Sequence, residues 1–112
     1  MQKKLQLISK VLSDKKATEI DIYDFRGGMF IHDTMLVASA NNPRLLNALS
    51  DYVIEALEQE DYEIHHVEGS PDSGWILIDT PDTLIHLFLE STRDFYQLDV
   101  LWADKKVERY AD

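Results

Sequence analysis

The chain has 112 residues, 45% hydrophobic and 29% charged, with no cysteine and a formal net charge of −10. That length suits a single domain, residues 1–112, able to bury a core without staples, and the absence of cysteine excludes disulfides and thiolate chemistry. The acidic excess disfavours a phosphate backbone, which is bound by Lys and Arg, so no direct nucleic-acid binding is expected; if the chain works near nucleic acid, a basic protein is the better contact, although the charge also serves solubility alone.

In chain order, residues 2–15 predict a helix, with Leu5, Ile8 and Leu12 at helical spacing and Leu7 and Val11 broadening the stripe. Residues 19–25 predict a strand, in which Ile20 and Ile22 alternate with Asp21 and Tyr23, ended by Arg26-Gly27-Gly28. The apolar run 34–40 reads as a strand covered on both faces. Asn42-Pro43 then starts a helix to about residue 59, with Leu46, Leu49, Val53 and Leu57 on one face. Its acidic last turn opposes the macrodipole, so fraying is expected there.

Residues 62–68 predict a strand, 69–74 a loop, and 75–80 and 84–89 two more strands. Residues 91–102 suggest short helical turns, and the polar residues 104–112 a frayed tail. The order α-β-β-α-β-β-β-α gives an α/β or α+β-like fold with a mixed sheet of about five strands. No run approaches the roughly 20 apolar residues of a membrane span, and Met1-Gln2-Lys3-Lys4 leads into no signal-peptide core, so a cytoplasmic chain without a membrane partner is expected.

The hairpin around Pro81-Asp82 fixes two faces. With a two- or four-residue loop, Trp75 opposes Phe88, Leu77 opposes His86, and Asp79 opposes Leu84; Ile76 and Ile78 oppose Leu87 and Ile85. Pro81 disfavours a tight primed turn, which favours the longer loop. The face of Ile76, Ile78, Ile85 and Leu87 is core. The other combines Trp75, Leu77 and Phe88 with Asp79 and His86, polar groups that are costly to bury alone. That face is either a covered second core layer or an aromatic docking surface.

Little else suggests chemistry. His65 and His66 point to opposite faces of a strand and cannot readily share a metal, and no HExxH, phosphate loop or GxSxG elbow occurs. Asp21, Asp24, Asp33, Asp79, Asp82, Asp94 and Asp99 could supply oxygen ligands to magnesium, but their spacing matches no motif. No catalytic residue, metal or cofactor is expected.

The whole pattern resembles the ribosome silencing factor (Iojap) family from about Leu5 to Asp104. The residues that carry it are Lys15-Lys16-Ala17 with Ile20, Ile22 and Asp24; Arg26-Gly27 with Ile31 and Asp33; Val37-Ala38-Ser39 with Arg44 and Ala48; and Val67-Glu68-Gly69. Trp75-Ile76-Leu77-Ile78-Asp79, Ile85-His86-Leu87-Phe88, and Arg93, Phe95-Tyr96, Leu98 and Leu101-Trp102 complete it. The chain departs from the family at Thr34, where an aromatic is usual, and at Ala40 and Asp61, where glycine is frequent. The resemblance implies a sheet similar to the nucleotidyltransferase superfold without its catalytic carboxylates. It also implies binding to the large ribosomal subunit through ribosomal protein fourteen, blocking subunit joining and repressing translation. Trp75, Leu77, Asp79, His86, Phe88, Arg93 and Tyr96 are the candidate partner-binding residues, and a homodimer of the free protein is compatible with this reading. The alternatives are a magnesium-dependent nucleotidyltransferase-like enzyme and a dimeric adaptor with no ribosomal role.

Overall fold

Leu5, Ile8 and Leu12, repeating at helical spacing, are buried on one side of the first helix, α1 (Lys3–Asp14), in the computed structural model, which describes residues 2–26 and 32–111. β1 (Thr18–Asp24), β2 (Thr34–Ala40) and α2 (Pro43–Gln59) follow. Gly27, Gly28 and Ile31, part of the expected break and of the family pattern, lie outside the described residues. Asn42 caps α2 by accepting the Leu45 N–H at 2.8 Å, and Pro43 fills the first turn, where its missing N–H costs nothing.

β3 (His66–Ser70), β4 (Trp75–Asp79) and β5 (Thr83–Leu89) lead to α3 (Glu90–Tyr96), α4 (Leu98–Leu101), a 3-10 turn at Ala103–Lys105, and β6 (Lys106–Arg109). One mixed sheet results, in the order β3-β4-β5-β2-β1-β6. β2 and β5 run parallel, and the other neighbouring pairs are antiparallel. The helix α2 carries the chain across the sheet between β2 and the β3–β4–β5 meander, as a parallel pairing requires.

The β4–β5 register is the expected one: Trp75 faces Phe88, Leu77 faces His86 and Asp79 faces Leu84, leaving the four residues Thr80–Thr83 between the last pair. Alternation then sorts the whole sheet. Ile20, Ile22, Leu36, Ala38, Ile76, Ile78, Ile85 and Leu87 pack against α1 and α2. Tyr23, Phe25, Met35, Val37 and Phe88 form a second cluster on the opposite face, joined by Trp75, Leu84, Leu98 and Trp102.

Three local expectations need correction. β3 spans 66–70 rather than 62–68. Gly69 belongs to the ladder, where its φ of +92° brings the chain so close that an added Cβ would stand 2.1 Å from the Trp75 carbonyl oxygen. The residues after 104 are not a frayed tail throughout, because Lys106–Arg109 pair with β1 as a sixth strand. Finally, the end of α2 is closed. Tyr62 N–H donates to the Leu57 carbonyl at 2.9 Å and Asp61 N–H to the Glu58 carbonyl at 3.1 Å, a Schellman motif with Asp61 in the left-handed region at φ 58°. The orphan carbonyls are thus satisfied despite the unfavourable charge, while an aspartate occupies the position that glycine takes at lower cost. Asp61→Gly is expected to raise unfolding free energy by about 1 kcal/mol, read from urea denaturation; an unchanged or lower midpoint would show that Asp61 carries a compensating contact.

Candidate functional site

The second face of the sheet is covered only in part. A buried charge network fastens α3 and α4 over β1 and β2. Asp21 sits within apolar β1 with no solvent exposure, and its carboxylate meets Arg93 at 2.7 Å, Arg109 at 2.8 Å and Lys106 at 3.2 Å. Arg93 also reaches Asp99 at 2.9 Å, Ser39 Oγ at 2.9 Å and the Glu19 carbonyl. The Tyr23 hydroxyl donates to Oδ1 of Asp99, the oxygen that also accepts from Arg93 Nη2. The Arg93 hydrogen bonds hold Asp99 well below the usual carboxylate range against the opposing effect of burial, whereas burial and then the Asp99 bond push the Tyr23 phenol up.

Beyond this strap the face opens. Trp75 packs against Tyr96 with ring centroids 4.8 Å apart, Phe88 at 5.0 Å and His86 at 5.6 Å. Its indole Nε1 donates to His86 Nδ1 at 3.0 Å. The neutral imidazole must then carry its proton on Nε2, which is buried and finds no partner among the described residues. Beside these rings, Glu68, Gly69, Ser73, Trp75, Leu77 and Tyr96 line a groove of about 310 Å³. Further along, Asp79 Oδ1 lies 2.6 Å from His32 Nε2. Tyr96 is 47% exposed and Phe95 78% exposed, with Val100 and Leu101 also open.

The sequence-predicted residues therefore divide. Trp75, Leu77, Asp79 and Tyr96 reach the surface together. Phe88, Arg93 and His86, also expected to touch a partner, are 0%, 2% and 5% exposed. Phe88 and His86 support Trp75 from beneath, and Arg93 anchors the strap; their positions allow no direct contact from outside. The face divides: it is a second core layer under α3 and α4, and an open aromatic surface toward β4. Sequence reasoning missed His32, Glu68, Ser73 and the Asp21 network. The available signal was Asp21 itself, a carboxylate on the inward period of a buried strand, which demands cations from elsewhere.

Most of the carboxylates weighed as magnesium ligands are engaged by cations: Asp24 by Arg26 at 2.6 Å, Asp82 by Lys4 at 2.7 Å, and Asp21 and Asp99 by the network. Among the described residues, no group of three or more His, Asp or Glu side chains is placed to hold a metal ion, and no helix is long and apolar enough to cross a membrane.

A mixed six-stranded sheet, two helices on one side and a short helical strap on the other, defines a class of small α+β domain with solved members. A crystal structure of a protein from Chromobacterium violaceum superposes with a TM-score of 0.85 at 26% identity, covering 100% of this chain and 95% of that one. The chain belongs to the ribosomal silencing factor family, whose model, "Ribosomal silencing factor during starvation", matches residues 1–112. It is 30% identical to the ribosomal silencing factor of Halalkalibacterium halodurans over 103 residues, 92% of this chain and 88% of that protein. It is 25% identical to the mouse protein named "Mitochondrial assembly of ribosomal large subunit protein 1", covering 88% of this chain and 44% of the relative.

Burial pulls the His86 imidazole down to about 4, with His32 adding a smaller repulsion. In the unfolded chain the same group protonates near its ordinary value of about 6.5. Between the two values the unfolded chain binds more protons, so stability is full above the higher value and is lost as pH falls toward the lower. The parent chain is expected to lose about 2 kcal/mol of unfolding free energy between about pH 7 and about pH 5, and His86→Leu to lose most of that dependence. Equal slopes in parent and variant, measured by urea denaturation, would show that His86 does not carry it.

Proposed function

We propose that the chain silences ribosomes by occupation. It docks on the large ribosomal subunit through ribosomal protein fourteen, and the small subunit then cannot join. The observation that carries this reading is the open half of the second sheet face, where Trp75, Leu77, Asp79 and Tyr96 stand together over a support of His86 and Phe88. An aromatic held rigidly by packing and a hydrogen bond, with a few polar neighbours, is what interface hot spots require. The family's name supports silencing, and the mouse relative's name supports the large subunit as the place of action.

The action is steric and needs neither cofactor nor catalysis. A magnesium-dependent nucleotidyltransferase would need carboxylates free to take the ion, and Asp21 and Asp99 are already neutralised by arginine. The site of action is the cytoplasm, where ribosomal subunits meet, and a homodimer of the free protein is compatible with the mechanism.

Trp75→Ala is expected to cost about 2 kcal/mol or more of large-subunit binding, while folding loses about 1–2 kcal/mol from the missing ring contacts. Trp102, packed edge-on against Phe25 at 5.5 Å and Tyr23 at 6.5 Å, is the control: Trp102→Ala should cost more folding stability than Trp75→Ala. Co-sedimentation with large subunits and thermal melting separate the two effects; retained binding by Trp75→Ala would move the docking site elsewhere.

Affinity should also fall with salt, because an acidic chain meeting a basic protein gains from fields that are screened over about 8 Å at physiological ionic strength. Equal affinity at low and high salt would mean that apolar contact, and not charge, holds the complex together.

A further inference from the structure

The charge of this chain is segregated. From Leu45 to Thr92 there are eleven Asp and Glu residues and no Lys or Arg, while the other ten acidic residues are offset by all eleven basic ones. The unbalanced half contains α2 from Leu45 onward and the strands β3, β4 and β5. Within it lies β3, one of the two edge strands of the sheet, with all five residues exposed. Edge strands expose unpaired backbone donors and acceptors, and natural proteins often guard them with lysine. β3 has no such guard; it carries Glu68, 3.6 Å from His66, and is flanked by Glu63, 2.6 Å from His65, and by Asp72. At Ser70 the edge is closed locally, where Ser73 Oγ lies 3.3 Å from the Ser70 N–H and donates to the Ser70 carbonyl at 2.8 Å.

Resting on the large-subunit docking proposed above, we infer that the β3 edge from His66 to Gly69 accepts a short extended segment of the partner that carries Lys or Arg side chains. Strand addition takes its affinity from main-chain hydrogen bonds and its specificity from pockets for alternate side chains. The groove lined by Glu68, Ser73, Trp75, Leu77 and Tyr96 lies beside this edge and offers both a carboxylate and apolar walls. The same charge that attracts a basic strand repels the β3 edge of a second copy, so the open edge is protected against self-pairing without lysine.

Amide hydrogen exchange of the full chain, alone and with saturating purified large ribosomal subunits, tests the assignment. The amides of residues 66–69 are expected to slow by about tenfold or more in the complex. The double variant Glu68→Lys, Asp72→Lys, altered at two exposed side chains, is expected to melt as the parent does but to bind subunits at least about tenfold more weakly at low salt. Parent-like affinity of that variant, or β3 amides unchanged in a complex that does form, overturns the edge assignment alone. Concentration-dependent protection of β3 without subunits overturns it in favour of a second copy. A parent chain that does not sediment with large subunits overturns the docking reading, and this inference with it.

Discussion

Asp21 is the constraint around which the second face is arranged. Its carboxylate has no solvent exposure, and such a charge is tolerated only if cations and donors surround it. Arg93 comes from α3, while Lys106 and Arg109 come from β6, so two of the elements that follow the meander are tied to one side chain. Removing one partner from a buried ion pair typically costs about 3–5 kcal/mol, whereas replacing the whole set by apolar groups can be neutral. The network is therefore better understood as specifying where the strap sits than as raising stability. Its position decides how much of the sheet face stays open.

That partition makes one face serve two purposes. Across β1, β2 and β5, Tyr23, Val37 and Phe88 form a core that Leu98 and Trp102 of the strap region complete. Over β4 it stops, and Trp75 is left with rings on its inner side and solvent on its outer side. His86 keeps the indole oriented through its Nδ1, while its buried Nε2–H is left without a partner among the described residues. The indole–imidazole hydrogen bond fixes the orientation of the ring, which packing alone would leave less defined.

Much of the fold was legible because its signals are local. Alternation in 75–79 and 84–89 and the restriction imposed by Pro81 gave the hairpin register residue by residue, and Asn42-Pro43 marked the start of α2. The misreadings share a different cause. Gly69 looked like a loop residue because a close backbone approach to Trp75 cannot be inferred from one strand alone. β6 looked like tail because Lys106-Val107-Glu108-Arg109 has little apolar alternation; its pairing depends on Asp21 far earlier in the chain. Within the proposed docking face, Trp75, Leu77, Asp79 and Tyr96 were readable from strand parity and the family pattern. The burial of Arg93 and Phe88 depends on a strap whose path only long-range ion pairs determine.

The separation between Asp21 and its cations also matters in time. Arg93 lies 72 residues and Arg109 88 residues further along the chain. During synthesis, β1 and β2 emerge while the carboxylate has no counter-charge, and a lone carboxylate stays hydrated instead of entering an apolar layer. β1 consequently cannot settle into its final environment until nearly all of the described chain is available. Non-local pairings of this kind lose their loop-closure entropy before any contact offsets it. The first strand thus becomes native in the same late step that docks the strap and adds β6, and a chain interrupted before Arg93 lacks the means to bury it.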